Sequence, residues 1–78
     1  MDLAELHEQV GCPADLALAV QPQGQTWTLY VLSPAQGAFL RLGTVPRGAP
    51  ALLEPVDWLA VRRELLRLSL LQRKQGAP

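Results

Sequence analysis

The segment between residue 56 and Gly76 contains neither glycine nor proline, and it repeats leucine at helical spacing. A run of this length without a helix-breaking residue predicts one long amphipathic helix over about residues 56–74. Pro55 fits the first turn of such a helix, and Asp57 lies favourably near its positive N-terminal end. Because a helix of this kind must bury an apolar face, the rest of the chain has to supply a surface for it to pack on.

The predicted helix carries more leucine than one buried face requires. At about 100° per residue its apolar side chains form two stripes, whereas an ordinary surface helix shows one. The first stripe contains Trp58, Val61, Leu65 and Leu68, the second contains Leu59, Leu66 and Leu70, and Leu71 lies apart from both. Either the first helix and the 45–55 loop cover the second stripe, or another chain does. The sequence leaves both alternatives open, and the second stripe is a candidate partner interface.

Three segments of alternating polarity precede this helix and predict strands. They cover about residues 15–21, 26–33 and 38–44, where apolar side chains recur with a period of two. Segments rich in turn-forming residues separate them at 22–25 and 34–37, which predicts two hairpins with four-residue loops. The strands therefore form a three-stranded antiparallel meander.

Four-residue loops set the predicted register, in which Val20 faces Trp27 and Leu29 faces Leu42. One sheet face then collects the larger apolar side chains, and a one-residue change in either loop would reverse a strand. The face expected to be buried holds Leu16, Leu18, Val20, Trp27, Leu29, Val31, Leu40 and Leu42. The opposite face holds Ala17, Ala19, Thr28, Tyr30, Leu32, Phe39 and Arg41.

The opposite sheet face supplies the second candidate partner interface, formed by Tyr30, Leu32, Phe39 and Arg41. Aromatic residues and arginine are enriched where protein interfaces gain most of their binding energy. In the predicted register the Tyr30 ring is able to stack on the Arg41 guanidinium. Aromatic side chains on an open sheet can also stack single-stranded bases, but no accompanying motif supports that use.

The first residues predict a short helix over about 3–10. Asp2 and Glu5 have the spacing of a capping box at its start, and Gly11 stands where a left-handed C-terminal cap would be. Pro13 prevents the helix from continuing.

Together these elements predict a single α+β domain over residues 1–78, in the order helix–strand–strand–strand–helix. Both helices are expected on one face of the sheet, which gives the domain two packed layers. Residues 45–55, with three prolines, predict an ordered loop, and residues 75–78 predict a disordered tail.

A domain of this size is marginally stable because it buries only about 60% of its unfolded surface. Small domains often gain stability from a disulfide, a metal or a partner subunit. The chain has one cysteine, Cys12, so it forms no intramolecular disulfide, and one histidine, His7, which argues against a multi-ligand metal site. That leaves a tight core or a partner subunit, either a second copy of the chain or another protein, and no metal or cofactor is expected.

No group of residues predicts catalysis. Cys12 follows a helix C-terminus, a position that raises the pKa of a thiol, and no Cys–His pair is evident. Neither Ser33 nor Ser69 lies in a nucleophile-elbow pattern, and the glycines form no phosphate-binding loop. We therefore expect a protein that is not an enzyme, with no catalytic residues.

The charges sum to zero but are unevenly distributed. Residues 1–15 are acidic, and residues 62–74 carry five basic residues against only Glu64. These basic residues either bind phosphate or complement the helix dipole and pair with the acidic first helix of the same or a neighbouring chain. The nucleic-acid candidates are Arg62, Arg63, Arg67, Arg73 and Lys74.

The order of elements resembles that of double-stranded-RNA-binding domains, in topology only. The resemblance implies that the basic side of the last helix would contact phosphates. The last helix of those domains begins with a lysine-rich motif, however, whereas this one begins with Pro55, Val56, Asp57 and Trp58. The neutral charge of the chain also departs from the basic character of that family.

These observations predict a small, non-catalytic, homodimeric protein-interaction module, such as an adaptor, a chaperone-like subunit or an inhibitor. The alternative is a nucleic-acid-binding domain. The single cysteine, the acidic start and the short apolar runs predict a cytoplasmic protein rather than a secreted or membrane-spanning one. The absence of Ile and Asn is typical of a bacterial chain encoded by a GC-rich genome.

Overall fold

The computed structural model describes residues 3–47 and 55–76, together with the side chains of all of these except 74–76. Its three strands form one antiparallel sheet in the order β1-β2-β3. Both helices pack against the same sheet face, so the predicted α+β class, element order and meander are confirmed. The elements are α1 (Leu3–Gln9), β1 (Ala17–Gln23), β2 (Thr26–Ser33), β3 (Ala38–Pro46) and α2 (Trp58–Gly76).

Helix α1 ends in the way its glycine predicts. Gly11 has a φ of 65°, in the left-handed region. The Cys12 amide donates to the His7 carbonyl at 3.1 Å, and the Gly11 amide donates to the Glu8 carbonyl at 3.2 Å. This pair of bonds is a Schellman motif, which satisfies carbonyls that the helix itself leaves without partners. Asp2, the predicted cap at the other end of α1, lies outside the described residues.

Helix α2 begins two residues later than the sequence predicts, because Asp57 caps it. The Asp57 carboxylate accepts a hydrogen bond from the Ala60 amide at 3.1 Å, which is N-cap geometry. Pro55 therefore precedes the helix and is not part of its first turn. At the other end α2 continues through Gly76, so residues 75 and 76 are helical rather than part of a disordered tail. Residues 77–78 lie outside the described part of the chain, as do residues 48–54 of the predicted loop.

The first hairpin is tighter than predicted. Strand β1 continues through Pro22 and Gln23, which leaves a two-residue loop that begins at Gly24 with a φ of 59°. Val20 therefore faces Leu29, and Trp27 faces Pro22, so the predicted Val20–Trp27 pairing is wrong. The error is two residues, which preserves the side-chain alternation, and the face assignment survives. Pro22 is tolerated because β1 is an edge strand.

The second hairpin has the predicted four-residue loop, closed by a hydrogen bond of 2.8 Å from the Gly37 amide to the Ser33 carbonyl. The pairing of β2 with β3 then shifts between Leu29 and Tyr30. Leu29 faces Gly43, not the predicted Leu42, which is an extra residue in a β-bulge. Strand β3 also continues past its predicted end, and the bulge turns Val45 towards the core.

The core lies between the sheet and the two helices. The first stripe of α2 packs on the sheet face that was expected to be buried. The apolar residues of that face that are not fully buried still pack against the core. On the opposite sheet face Thr28 is buried as well, and its hydroxyl donates to the Gln23 side chain at 3.3 Å. The buried core residues are Leu6, Leu16, Leu18, Leu29, Val31, Ala38, Val45, Val61 and Leu65.

Candidate protein-interaction surfaces

The second stripe of α2 is exposed. Leu59, Leu66 and Leu70, named here the outer leucine stripe, expose 62%, 49% and 52% of their surfaces. Helix α1 does not cover them, because its one buried leucine, Leu6, packs into the core beneath the helices. Leu71, which lies apart from both stripes, is exposed as well. The structure therefore leaves on the surface the leucines that the sequence identified as surplus.

Trp58, Arg62 and Ser69 attach α2 to other parts of the chain and so decide which leucines face outward. The Trp58 indole donates to the Val10 carbonyl at 2.8 Å, which ties the first turn of α2 to the end of α1. Two turns from the other end, the Ser69 hydroxyl donates to the Gln36 carbonyl at 3.2 Å. With both ends attached, α2 has little freedom to rotate and bury the outer leucine stripe.

Between these attachments Arg62 forms a bidentate ion pair with Asp15. Two guanidinium nitrogens lie 2.8 Å from the two carboxylate oxygens, the paired geometry that arginine prefers. The hydrogen bonds from Arg62 lower the pKa of Asp15, and the same pair raises the pKa of Arg62. Both side chains are largely exposed, so water and salt weaken this pair.

The five basic candidates of α2 are not equally available to a ligand. Arg62 is engaged with Asp15, and Arg67 is engaged with Glu64 one turn earlier on the same helix, which lowers the pKa of Glu64. Within the described residues, no carboxylate lies at ion-pair distance from the exposed Arg63 and Arg73. The side chain of Lys74 lies outside the description.

In the two described ion pairs of α2, the carboxylates do not come from α1. The carboxylates belong to Asp15, which follows α1 just before β1, and to Glu64 on α2 itself. The spacing of Glu64 and Arg67, three residues apart on one helix, is a signal that sequence alone contains. The pairing of Asp15 with Arg62 joins residues 47 positions apart and depends on the fold.

The sheet face turned away from the helices, named here the outer sheet face, brings its four candidate residues together. Tyr30 faces Arg41 across β2 and β3, and Leu32 faces Phe39. The ring contact of Tyr30 is with Phe39, edge to face with centroids 6.2 Å apart, and not the stacking on Arg41 that the sequence suggested. Phe39 and Leu32 expose 60% and 37% of their surfaces. This face is therefore apolar at the end next to the second hairpin, where Leu32 and Phe39 lie, and its one charged residue is Arg41.

A groove of about 530 Å³ lies between β3 and the first turn of α2. Its described walls are largely apolar and include Leu42, Val45 and Val61. Asp57 is the one carboxylate among the described lining residues, and it already accepts the hydrogen bond that caps α2. Those residues therefore provide no pair of groups for acid–base chemistry.

The remaining nucleophilic candidates are Cys12, Ser33 and Ser69, and both serines contact the backbone of Gln36. The Cys12 thiol is partly buried, and burial raises its pKa, with the charge of Asp15 acting in the same direction. Ser69 is buried and bonded to the turn before β3, and Ser33 is buried where β2 ends. Across residues 3–47 and 55–76, no three His, Cys, Asp or Glu side chains group closely enough to hold a metal ion.

Neither of the two described helices is long and apolar enough to cross a bilayer. Comparison with protein-family models, with curated proteins and with solved structures found no match to this chain. A proposed function therefore rests on the residues of the chain itself.

Proposed function

We propose that this protein is a small, non-catalytic, cytosolic protein-interaction module that forms a homodimer, as an adaptor, a chaperone-like subunit or an inhibitor. The observation that carries the proposal is the exposure of large apolar side chains on two separate surfaces of one small domain. Fully burying one leucine contributes roughly 1.5–3 kcal/mol. A cluster of leucines left in water therefore favours association with another surface.

The outer sheet face is the surface that suits a second copy. In a symmetric dimer the same patch contributes from both subunits, so a charge near the two-fold axis meets its own like charge. Arg41 is the single charged residue of this face; it pairs with Tyr30, and the exposed Phe39 and Leu32 form the next pair on the same face. Two such faces can pack as a sandwich with their side chains interdigitated, about 10 Å apart.

The size of the outer sheet face limits the strength of the expected dimer. The chain exposes 5400 Å² in total, and a face of three short strands is a small part of that area. A stable interface buries about 800 Å² per partner. We therefore expect weak self-association, with monomer and dimer both present in the micromolar range.

Sedimentation equilibrium over a wide range of protein concentrations tests the homodimer. The average mass should rise from monomer towards dimer, and Phe39→Ser should shift the equilibrium back to monomer without unfolding the domain, because Phe39 is largely exposed. Leu66→Ser, on the other surface, is the matched control and should leave the dimer intact. A strict monomer at the highest concentration would contradict the homodimer. A dimer that is lost only in Leu66→Ser would show that the dimer interface lies on α2 and not on the outer sheet face.

Binding of nucleic acid is the alternative function, and Arg63 and Arg73 are the described residues that favour it. Phosphate contacts release counterions, so binding would fall steeply as salt rises. Titration of labelled double-stranded RNA and DNA at low and moderate salt tests this function. Absence of binding at low salt would eliminate it, whereas tight binding lost in Arg63→Gln would favour it over the interaction module.

A further inference from the structure

We propose that the outer leucine stripe docks an amphipathic helix of another protein, in which apolar side chains are flanked by carboxylates. The inference rests on the proposed interaction function and gives one of its two surfaces a partner of defined chemistry. It assigns the outer leucine stripe to a different protein and leaves the outer sheet face to the second copy.

The stripe has the length and spacing that a helix recognises. Leu59 and Leu66 are two turns apart and Leu70 follows one turn later, so the three cover about 16 Å along the axis of α2. Side chains at such intervals form ridges into which another helix packs. A partner helix of about three turns would cover all three leucines.

Arg63 and Arg73 lie at the two borders of the stripe, and Arg62, on the same side as Arg73, is paired with Asp15. At about 100° per residue, Arg63 lies about 40° to one side of the stripe and Arg73 about 40° to the other. Both are exposed, and among the described residues neither has a carboxylate at ion-pair distance. The nearest acidic residue on α2, Glu64, lies on the far side of the helix and is engaged with Arg67. The stripe is therefore an apolar strip between two cations that have no described partner.

A second copy of α2 does not complement this arrangement. If two copies pair antiparallel, each border meets its own like border, and if they pair parallel, the Arg63 border meets the Arg73 border. An antiparallel pair centred on the stripe brings the two Arg63 side chains close together, and neither arrangement places an α2 carboxylate opposite Arg63 or Arg73. A helix with glutamate or aspartate at its borders offers each arginine an ion pair, which also accelerates association.

Helix α1 of a second copy is not the occupant either. It has seven residues, and its fully buried leucine, Leu6, belongs to its own core. Phosphate surfaces fit less well than a helix because the three leucines lie between the arginines. Contact with a nucleic-acid backbone would leave those leucines against charged groups, without an apolar counterpart.

Two synthetic amphipathic helices test the proposal. They share one leucine stripe and differ only in its borders, which carry glutamate in one peptide and lysine in the other. Calorimetric titration of the full chain at low salt should show binding of the glutamate peptide alone, weakening as salt rises. Leu66→Ser should abolish that binding while circular dichroism shows a folded domain, because Leu66 is half exposed.

Charge reversal supplies the sharper readout. The double variant Arg63→Glu, Arg73→Glu should lose about tenfold in affinity for the glutamate peptide, since two favourable pairs become repulsive, and should gain affinity for the lysine peptide. Arg41→Glu reverses one charge on the outer sheet face, half the change of the double variant, and should leave both affinities unchanged. Equal binding of the two peptides, or no exchange of preference in the double variant, would overturn the proposal.

The same titration distinguishes other occupants. Double-stranded RNA or vesicles containing phosphatidylserine, if bound more tightly than the glutamate peptide and weakened by the same double variant, would refute a helical protein partner. If the peptides fail but sedimentation shows a dimer lost in Phe39→Ser, only the partner chemistry is refuted and the interaction module stands. A strict monomer that binds neither peptide would refute both.

Discussion

The substitution of two adjacent leucines by alanine tests the division of α2 into a buried and an exposed stripe. Leu65 is fully buried, whereas Leu66 exposes 49% of its surface. Both positions lie in the middle of one helix, so the gain in helix propensity from alanine is the same at each and cancels in the comparison. The difference between the two variants therefore measures the environment of the side chain alone.

The expected magnitudes follow from burial. Leu65→Ala leaves a cavity between α2 and the sheet and should cost about 2–5 kcal/mol of unfolding free energy. Leu66→Ala removes a half-exposed side chain and should cost roughly 1 kcal/mol or less. In a domain of this size 1 kcal/mol moves Tm by about 4–8 °C, so Leu65→Ala should lower Tm by at least about 8 °C.

Urea unfolding followed by the fluorescence of Trp27 and Trp58 measures both variants. The comparison belongs at low concentration, where the protein is monomeric, because a dimer would add stability that depends on concentration. Equal losses for the two variants, or a larger loss for Leu66→Ala, would show that the helix is rotated relative to the sheet. That result would remove the basis for the outer leucine stripe.

Three further predictions concern the contacts that hold the elements together. Gly11→Ala should cost about 1–2 kcal/mol in thermal unfolding, because alanine is strained at a φ of 65°. Ser69→Ala should cost about 1 kcal/mol in urea unfolding, because the buried hydrogen bond to the Gln36 carbonyl is lost. Arg62→Gln should raise the pKa of Asp15 in an NMR titration. The folded pKa of Asp15 is lowered, so its contribution to stability is present above its unfolded pKa and is lost as the pH falls through the folded value.

Each of these predictions has an outcome that contradicts it. An unchanged Tm in Gly11→Ala would mean that α1 does not end in a left-handed residue. Ser69→Ala as stable as the parent would mean that the hydroxyl does not anchor α2. For the ion pair, an Asp15 pKa that is the same in Arg62→Gln as in the parent would show that Arg62 does not hold the carboxylate in solution. Arg63→Gln, a charge change of the same size beside it, is the control and should leave Asp15 unaffected.

The fold could be predicted to a large extent because its signals are local. Alternation over short segments and a long run without glycine or proline depend on neighbouring residues, and they predicted the order of the five elements. Gly11 predicted the end of α1 for the same reason, since only a residue that tolerates positive φ suits that cap. The start of α2 was less accurate, because Asp57 and Pro55 both suit a helix N-terminus and only the fold shows which residue caps it.

The register shows where local signals stop. Pro22 and Gln23 look like turn residues, yet they extend β1. An edge strand accepts proline because the N–H that proline lacks is not needed on the side without a neighbouring strand. The bulge at Leu42 had no local signal, and it decided that Val45 joins the core. The sheet faces were nevertheless correct, because the shift in the first hairpin was an even number of residues.

For the candidate surfaces, too, some features follow from the sequence and others only from the tertiary structure. The sequence by itself determined that α2 has two apolar stripes and a basic side, because the angular position of a side chain around a helix depends only on residue number. The tertiary structure alone decided which stripe is buried, since that depends on how Trp58, Ser69 and Arg62 attach the helix to distant residues. The tertiary structure also decided that Arg62 is engaged in an ion pair, because Asp15 lies far away in the sequence and only folding brings the two side chains together.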